Sequence, residues 1–178
     1  KNGYGGFNYM PRFWQPVIPT FQEYWNLTSN SSLLDVGCAK GFMLYDLTLL
    51  IPNITVSGID ISEYAIENAV EEIKPFVSVA NAKSLPYDDN SFDVVISINT
   101  VHNLEREECA KALQEIERVS KGKSFITVDA YRNEEEKRNV ILLKCEIIFQ
   151  LSITRFCLFV KKKKWRINYS PIGHLKRN

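Results

Sequence analysis

The residues best suited to chemistry stand together in Leu33-Leu34-Asp35-Val36-Gly37-Cys38-Ala39-Lys40-Gly41-Phe42. An apolar run with Asp35 inside it reaches a turn of small residues, Gly37, Cys38, Ala39 and Gly41. A helical pattern starts at once at Phe42. Small residues let a ligand approach the backbone, and the first turn of a helix offers N–H groups without partners of their own, which suit an anion. A second acid, Asp60, closes the next apolar run, 23 residues after Gly37. A carboxylate there can accept both hydroxyls of a ribose. Turn and acid in this order point to a nucleoside-type cofactor. The plainer alternative is a bare strand–helix turn and a surface aspartate.

A sheet must hold these residues in place, and the hydrophobic pattern supplies one. The spacing predicts strands at Ser32–Val36, Ile54–Ile59, Phe76–Ala80, Phe92–Ile98 and Ser124–Val128. Between them it predicts helices at Phe42–Leu50, closed by Pro52, and from a Ser62 cap to about Glu72. A third helix follows Cys109, Leu113, Ile116 and Val119 and is ended by Gly122. Near-continuously apolar strands alternating with helices predict an α/β fold, a doubly wound and mostly parallel sheet covered on both faces. Upstream, Thr20 and Glu23 fit a capping box, so a short helix is expected near Phe21. After Ala130 the pattern weakens. A helix to about Leu151 and strands Ile153–Val160 and Trp165–Tyr169, turning at Lys161–Lys164, are the expected elements. Local pattern and composition disagree there, so weak or irregular order is expected over 139–178. Lys144, Glu146, Gln150 and Arg155 interrupt the apolar stretch too often for a membrane span. The organisation is therefore an aromatic N-terminal segment or lid, 1–32, a core, 33–130, and a divergent basic C-terminal region, 131–178.

The turn is G-x-A-x-G, not the G-x-G-x-x-G of nicotinamide enzymes. With Gly58-Ile59-Asp60-Ile61-Ser62, Ala80-Asn81-Ala82, and Leu85-Pro86-Tyr87 before Asn90-Ser91-Phe92-Asp93-Val94-Val95, residues 33–130 resemble the class I S-adenosylmethionine-dependent methyltransferases. The resemblance is to the small-molecule subgroup that includes quinone-biosynthesis enzymes. It implies a Rossmann-like methyltransferase fold whose final strand pair is here divergent or incomplete. It implies S-adenosylmethionine as cofactor and an enzyme that moves its methyl group to a small molecule. Asp35 and the backbone of Gly37, Cys38, Ala39 and Gly41 would hold the methionyl end, Asp35 toward the amine. Asp60 would take the ribose hydroxyls, Ile61 would flank the adenine, and Asn81 and Ala82 would meet its edge. Asn99 follows the fourth strand, where such enzymes bring methionine moiety and substrate together. Ala39 stands where the family has a middle glycine and Asn81 where it has aspartate, and both keep what the site needs, small size and a carbonyl acceptor.

A sulfonium methyl is already activated, so transfer rests on positioning and on excluding water. His102 is the one candidate base. The alternative, and the preferred one, is a histidine that orders the loop Thr100–Leu104. Cys38 reads as a small packing residue rather than a nucleophile. Tyr9, Arg12 and Trp14 read equally as packing across the sheet end or as a lid over cofactor or acceptor.

The 178 residues fit one domain, and 45% hydrophobic with 24% charged residues excludes a disordered or fibrous chain. Two histidines argue against a histidine-rich metal site. Four scattered cysteines, Cys38, Cys109, Cys145 and Cys157, read as free thiols in a reducing, cytoplasmic setting. Residues 1–136 carry 11 basic and 20 acidic residues, a balance of −9, whereas 137–178 carry 11 and one, a balance of +10. The acidic part argues against nucleic acid as partner. Lys1 opens the chain without a signal segment, which reads as a fragment or a trimmed start. Two other readings remain. One is a truncated or frame-shifted methyltransferase fold that binds S-adenosylmethionine without efficient turnover. The other is an oxidoreductase on a similar sheet, which the turn spacing disfavours.

Overall fold

The structure, a computed structural model, describes residues 7–129 and 156–161. Its sheet has six strands in the order β3-β2-β1-β4-β5-β6. These are β1 (Ser32–Val36), β2 (Thr55–Asp60), β3 (Val77–Val79), β4 (Val94–Ile98), β5 (Ser124–Asp129) and β6 (Phe156–Lys161), and every neighbouring pair is parallel. The helices are α1 (Pro11–Trp14), α2 (Ile18–Trp25), α3 (Phe42–Leu50), α4 (Glu63–Glu67) and α5 (Arg106–Val119).

The two-residue period of the strands sorts the core into layers. Leu33, Val94 and Ile96 join α2 and α3 on one face, with Phe21, Trp25, Leu44 and Leu47. Leu34, Val36 and Val95 join α5 on the other, with Cys109, Ala112, Leu113 and Ile116. The chain reverses direction across the sheet at β1, which has β2 on one side and β4 on the other. Open α/β sheets bind ligands at the strand ends beside such a switch point.

The expected core elements are present, with shifted ends. α2 starts at Ile18 rather than near Phe21, with Pro19 in its first turn and no side-chain cap, so the Thr20–Glu23 box does not form. Proline supplies the missing signal, since its fixed φ and absent N–H suit a first helical turn. Ser62 does cap α4, accepting from Ala65 N at 3.2 Å. That helix ends at Glu67, not Glu72, because the Asn68 amide donates back to Tyr64 O and Val70 N donates to Lys40 O. α5 ends at Val119, with Ser120 as its C-cap, before Gly122 is reached. Of the expected C-terminal strands, Ile153–Val160 is present as β6 with shifted ends, Phe156–Lys161, and it runs parallel to β5 from Ser124↔Phe156 to Asp129↔Lys161. The expected helix to Leu151 and the strand Trp165–Tyr169 lie outside the described residues.

Candidate functional site

Parallel strands put all their carboxyl ends on one edge of the sheet, and the motif residues line up along it. Ala80-Asn81-Ala82 follows β3, Asp60 and Ile61 close β2, Asp35 and the small-residue turn close β1, and Asn99 follows β4. From β3 to β4 is three strand spacings, about 14 Å, the reach of a nucleoside with an amino-acid tail.

Backbone geometry explains the turn. Gly37 has φ +89, and a Cβ there would meet Thr100 Oγ1 at 2.0 Å. Gly41 has φ +73, and its Cβ would meet Ile73 Cγ2 at 2.7 Å. Ala39 also sits at positive φ, 49, where glycine is at ease and alanine is strained. The turn is tied to β2: Gly37 N and Cys38 N donate to Ile59 O at 2.7 and 2.9 Å, and Ala39 N donates to Asp60 Oδ2 at 2.8 Å. The other Asp60 oxygen accepts Ser62 N at 2.9 Å. Gly41 is the N-cap of α3 and gives no side-chain cap, and the positive end of that helix faces the turn.

Asp35 is 5% exposed, and no cation among the described residues pairs with it. Burial, then the nearby Asp60 charge, raises its carboxyl from the ordinary range to about 7. Cys38 is buried, and desolvation first, then the charges of Asp35 and Asp60, pushes its thiol far up, so it stays protonated. Asn81 Oδ1 accepts Lys83 N at 3.0 Å, which turns its carboxamide into a local Asx turn. Ile61 is 70% exposed. Asn99, at φ 55, is held to β5 through Thr127, whose hydroxyl donates to Asn99 Oδ1 at 3.1 Å.

His102 follows Asn99 in the turn after β4. It is 6% exposed in a one-turn 3₁₀ segment, Val101–Asn103, packed on α5. The N-terminal segment reaches the site from the other direction. Lys40 Nζ donates to Phe7 O at 3.1 Å and lies 5.3 Å from the Tyr64 ring centroid. Tyr9 OH and Gln15 Nε2 both donate to Asp46 Oδ1 on α3, and the Tyr9 ring packs on Phe42 and Tyr45. Desolvation, then the Asp46 carboxylate, raises the Tyr9 phenol to about 12. Arg12 lies over Phe13, while Trp14 packs on the α2–α3 core. Sequence reasoning missed Lys40, Asp46 and Thr100, whose partners are distant in the chain.

Residues 27–166 match the model of a methyltransferase domain family. An Arabidopsis thaliana tRNA (carboxymethyluridine(34)-5-O)-methyltransferase is 33% identical over 127 residues, 71% of this chain and 30% of that protein. A mitochondrial arginine-hydroxylase of Rattus norvegicus is 34% identical over 92 residues, 49% of this chain and 25% of that protein. The chain thus spans under a third of the length of both. Among solved structures, a SAM-dependent methyltransferase from Aquifex aeolicus superposes with a TM-score of 0.51 at 25% identity, covering 63% of this chain and 62% of its own. The residues present fit the methyl donor of this family: Asp35 is a buried carboxylate that no cation among the described residues pairs with, at the end of β1 before the uncapped N-terminus of α3 and one strand from Asp60. The chain belongs to the methyltransferase domain family, and its cofactor is S-adenosylmethionine.

Proposed function

We propose that this chain transfers a methyl group from S-adenosylmethionine to a small-molecule acceptor by in-line displacement. The observation that carries this reading is the pair of acids, Asp35 and Asp60, at the ends of adjacent strands and on either side of one glycine turn. When bound, S-adenosylmethionine supplies a sulfonium-activated methyl group. Asp35 neutralises the amine, and the Gly37–Gly41 backbone, with Cys38 and Ala39, receives the methionyl end. Asp60 accepts the ribose hydroxyls, Ile61 flanks the adenine, Asn81 and Ala82 meet its edge, and Asn99 faces the point of transfer. His102 serves as an ordering residue rather than a base, since its ring is buried in the turn after β4.

The acidic balance of residues 1–136 supports a small acceptor, because phosphate backbones are held by basic surface. The +10 balance of residues 137–178 favours a second reading, an RNA acceptor. The cysteine pattern, with Cys38 and Cys109 as buried free thiols, supports the cytoplasm as setting. Among the described residues no helix is long and apolar enough to cross a membrane.

Calorimetry tests the cofactor reading. Asp60→Ala removes two charge-assisted hydrogen bonds, each worth ~1.5–3 kcal/mol, so affinity is expected to fall at least about tenfold. Asp60→Asn is the companion variant, because Asp60 also ties Ala39 N and Ser62 N. Unchanged affinity in both folded variants would overturn the ribose assignment. Labelled-methyl transfer to small molecules or to tRNA then separates the two acceptor readings.

A further inference from the structure

Between β3 and β4 the chain forms a loop, residues 80–90, with no long element of its own to stiffen it. Its upstream end hangs from the ribose acid: Ala80 N donates to Asp60 O at 3.0 Å. A tight turn follows, with Ser84 N donating to Asn81 O at 3.0 Å, and it places Asn81 and Ala82 at the head of the loop. The downstream end is gripped by α5. Glu115 Oε2 accepts Leu85 N at 2.7 Å, and Arg118 Nη2 donates to Leu85 O at 3.1 Å. Arg118 Nη1 donates to Tyr87 O and to the Asp89 carboxylate, both at 2.8 Å. Nε and Nη2 of the same guanidinium donate to the two Glu115 oxygens at 2.8 and 2.9 Å. Lys83 adds an ion pair with Glu108, earlier on α5.

Both backbone groups of Leu85 are thus taken by side chains of one helix. A planar guanidinium with five donors can make these bonds together, while a lysine ammonium has three donors and no fixed fork. Arg118 is 31% exposed and Glu115 19%. A partly exposed ion pair contributes little to global stability. What this one does is tie the main chain at Leu85 and Tyr87 to α5, alongside the buried Leu85 side chain and the Tyr87–Phe92 ring contact.

The geometry points to Arg118, with Glu115, as the positioning residue that sets base selectivity. The clamp holds Asn81 and Ala82 at one height relative to Asp60, so that their polar groups meet the amino edge of an adenine. This rests on the placing of adenine at Asn81 and Ala82 in the proposed function. Asp60 belongs to β2 and needs no clamp, so the ribose and base subsites respond differently when the clamp is lost. A misplaced donor or acceptor loses discrimination between bases, whereas general affinity survives on the remaining contacts.

The experiment titrates the full chain with S-adenosylhomocysteine and with S-inosylhomocysteine, which carries a 6-oxo group in place of the 6-amino group. The unaltered chain is expected to prefer the adenosyl ligand. Arg118→Ala, Arg118→Lys and Glu115→Gln are each expected to cut that preference by about fivefold or more, mainly through weaker adenosyl binding. A purely structural role would lower the melting temperature and weaken both ligands by the same factor. An unchanged ratio in the folded variants overturns the clamp, and if Arg118→Ala does not fold, the other two decide. Unaltered chain that binds both ligands equally overturns the adenine placement and the clamp with it. Unaltered chain that binds neither overturns the cofactor reading itself, a result distinct from an unchanged ratio.

Discussion

Burial holds the Asp35 carboxyl at about 7, with Asp60 adding to the rise. An unfolded aspartate titrates near 3.9, so between about pH 4 and 7 the folded chain keeps a proton that the unfolded chain releases. Stability from this group is full below about pH 4 and is lost as the pH rises through 7. A bound amine reverses the preference, because a cation beside the carboxylate favours its charged form. Affinity for S-adenosylhomocysteine is therefore expected to rise from about pH 5 to about pH 8, with close to one proton released per ligand at the acid end. Calorimetry in two buffers of different ionisation heat measures that proton. Asp35→Asn should bind more weakly and with a flat profile. A sloped profile that persists in the variant would remove Asp35 from the site.

At the scale of elements, the site depends on short pieces pinned at both ends. The 3₁₀ turn Val101–Asn103 bridges β4 and α5, and Thr100 beside it fills the space over Gly37. His102 is the buried polar residue of that turn. Truncation to alanine is expected to destabilise the protein by about 1–3 kcal/mol, read by denaturant unfolding. Remaining turnover should keep the shape of its pH profile. A base would show instead as a ~10²–10⁴-fold loss of turnover with stability and cofactor affinity intact, and that outcome would restore His102 to catalysis. The N-terminal segment is pinned in the same manner, by Phe7 O on Lys40 and by Tyr9 and Gln15 on Asp46.

Across the whole molecule, the charge balance turns from −9 over residues 1–136 to +10 over 137–178. An uncovered fifth strand would expose a row of unpaired backbone groups. β6 covers it in parallel register over six residues. Parallel pairing requires a crossover of a dozen or more residues, and residues 130–155 are long enough for one. Hydrogen exchange checks this strand directly. Amides of Phe156–Lys161 are expected to be protected to a degree comparable with Val94–Ile98. Rapid exchange at 156–161, with protection kept through β1–β5, would show that the sheet ends at β5.

Much of the site was legible because its demands are local. Only glycine fits the positive φ values and tight surroundings of Gly37 and Gly41, and Asp60 ends its own strand whatever lies elsewhere. The strands β1, β4 and β5 read through as apolar runs because both faces of a parallel sheet are covered. The early end of α4, the proline start of α2 and the direction of β6 were not legible, because each is settled by a partner supplied by another segment or by a signal weaker than the one it overrode. The same holds for the clamp. Glu115 and Arg118 read as an ordinary i,i+3 pair on a helix surface, and only the folded chain brings Leu85, Tyr87 and Asp89, some thirty residues upstream, within reach of them. Sterics and hydrophobic period act between neighbours in sequence, whereas a fork that grips a loop exists only once tertiary packing has set the loop against the helix.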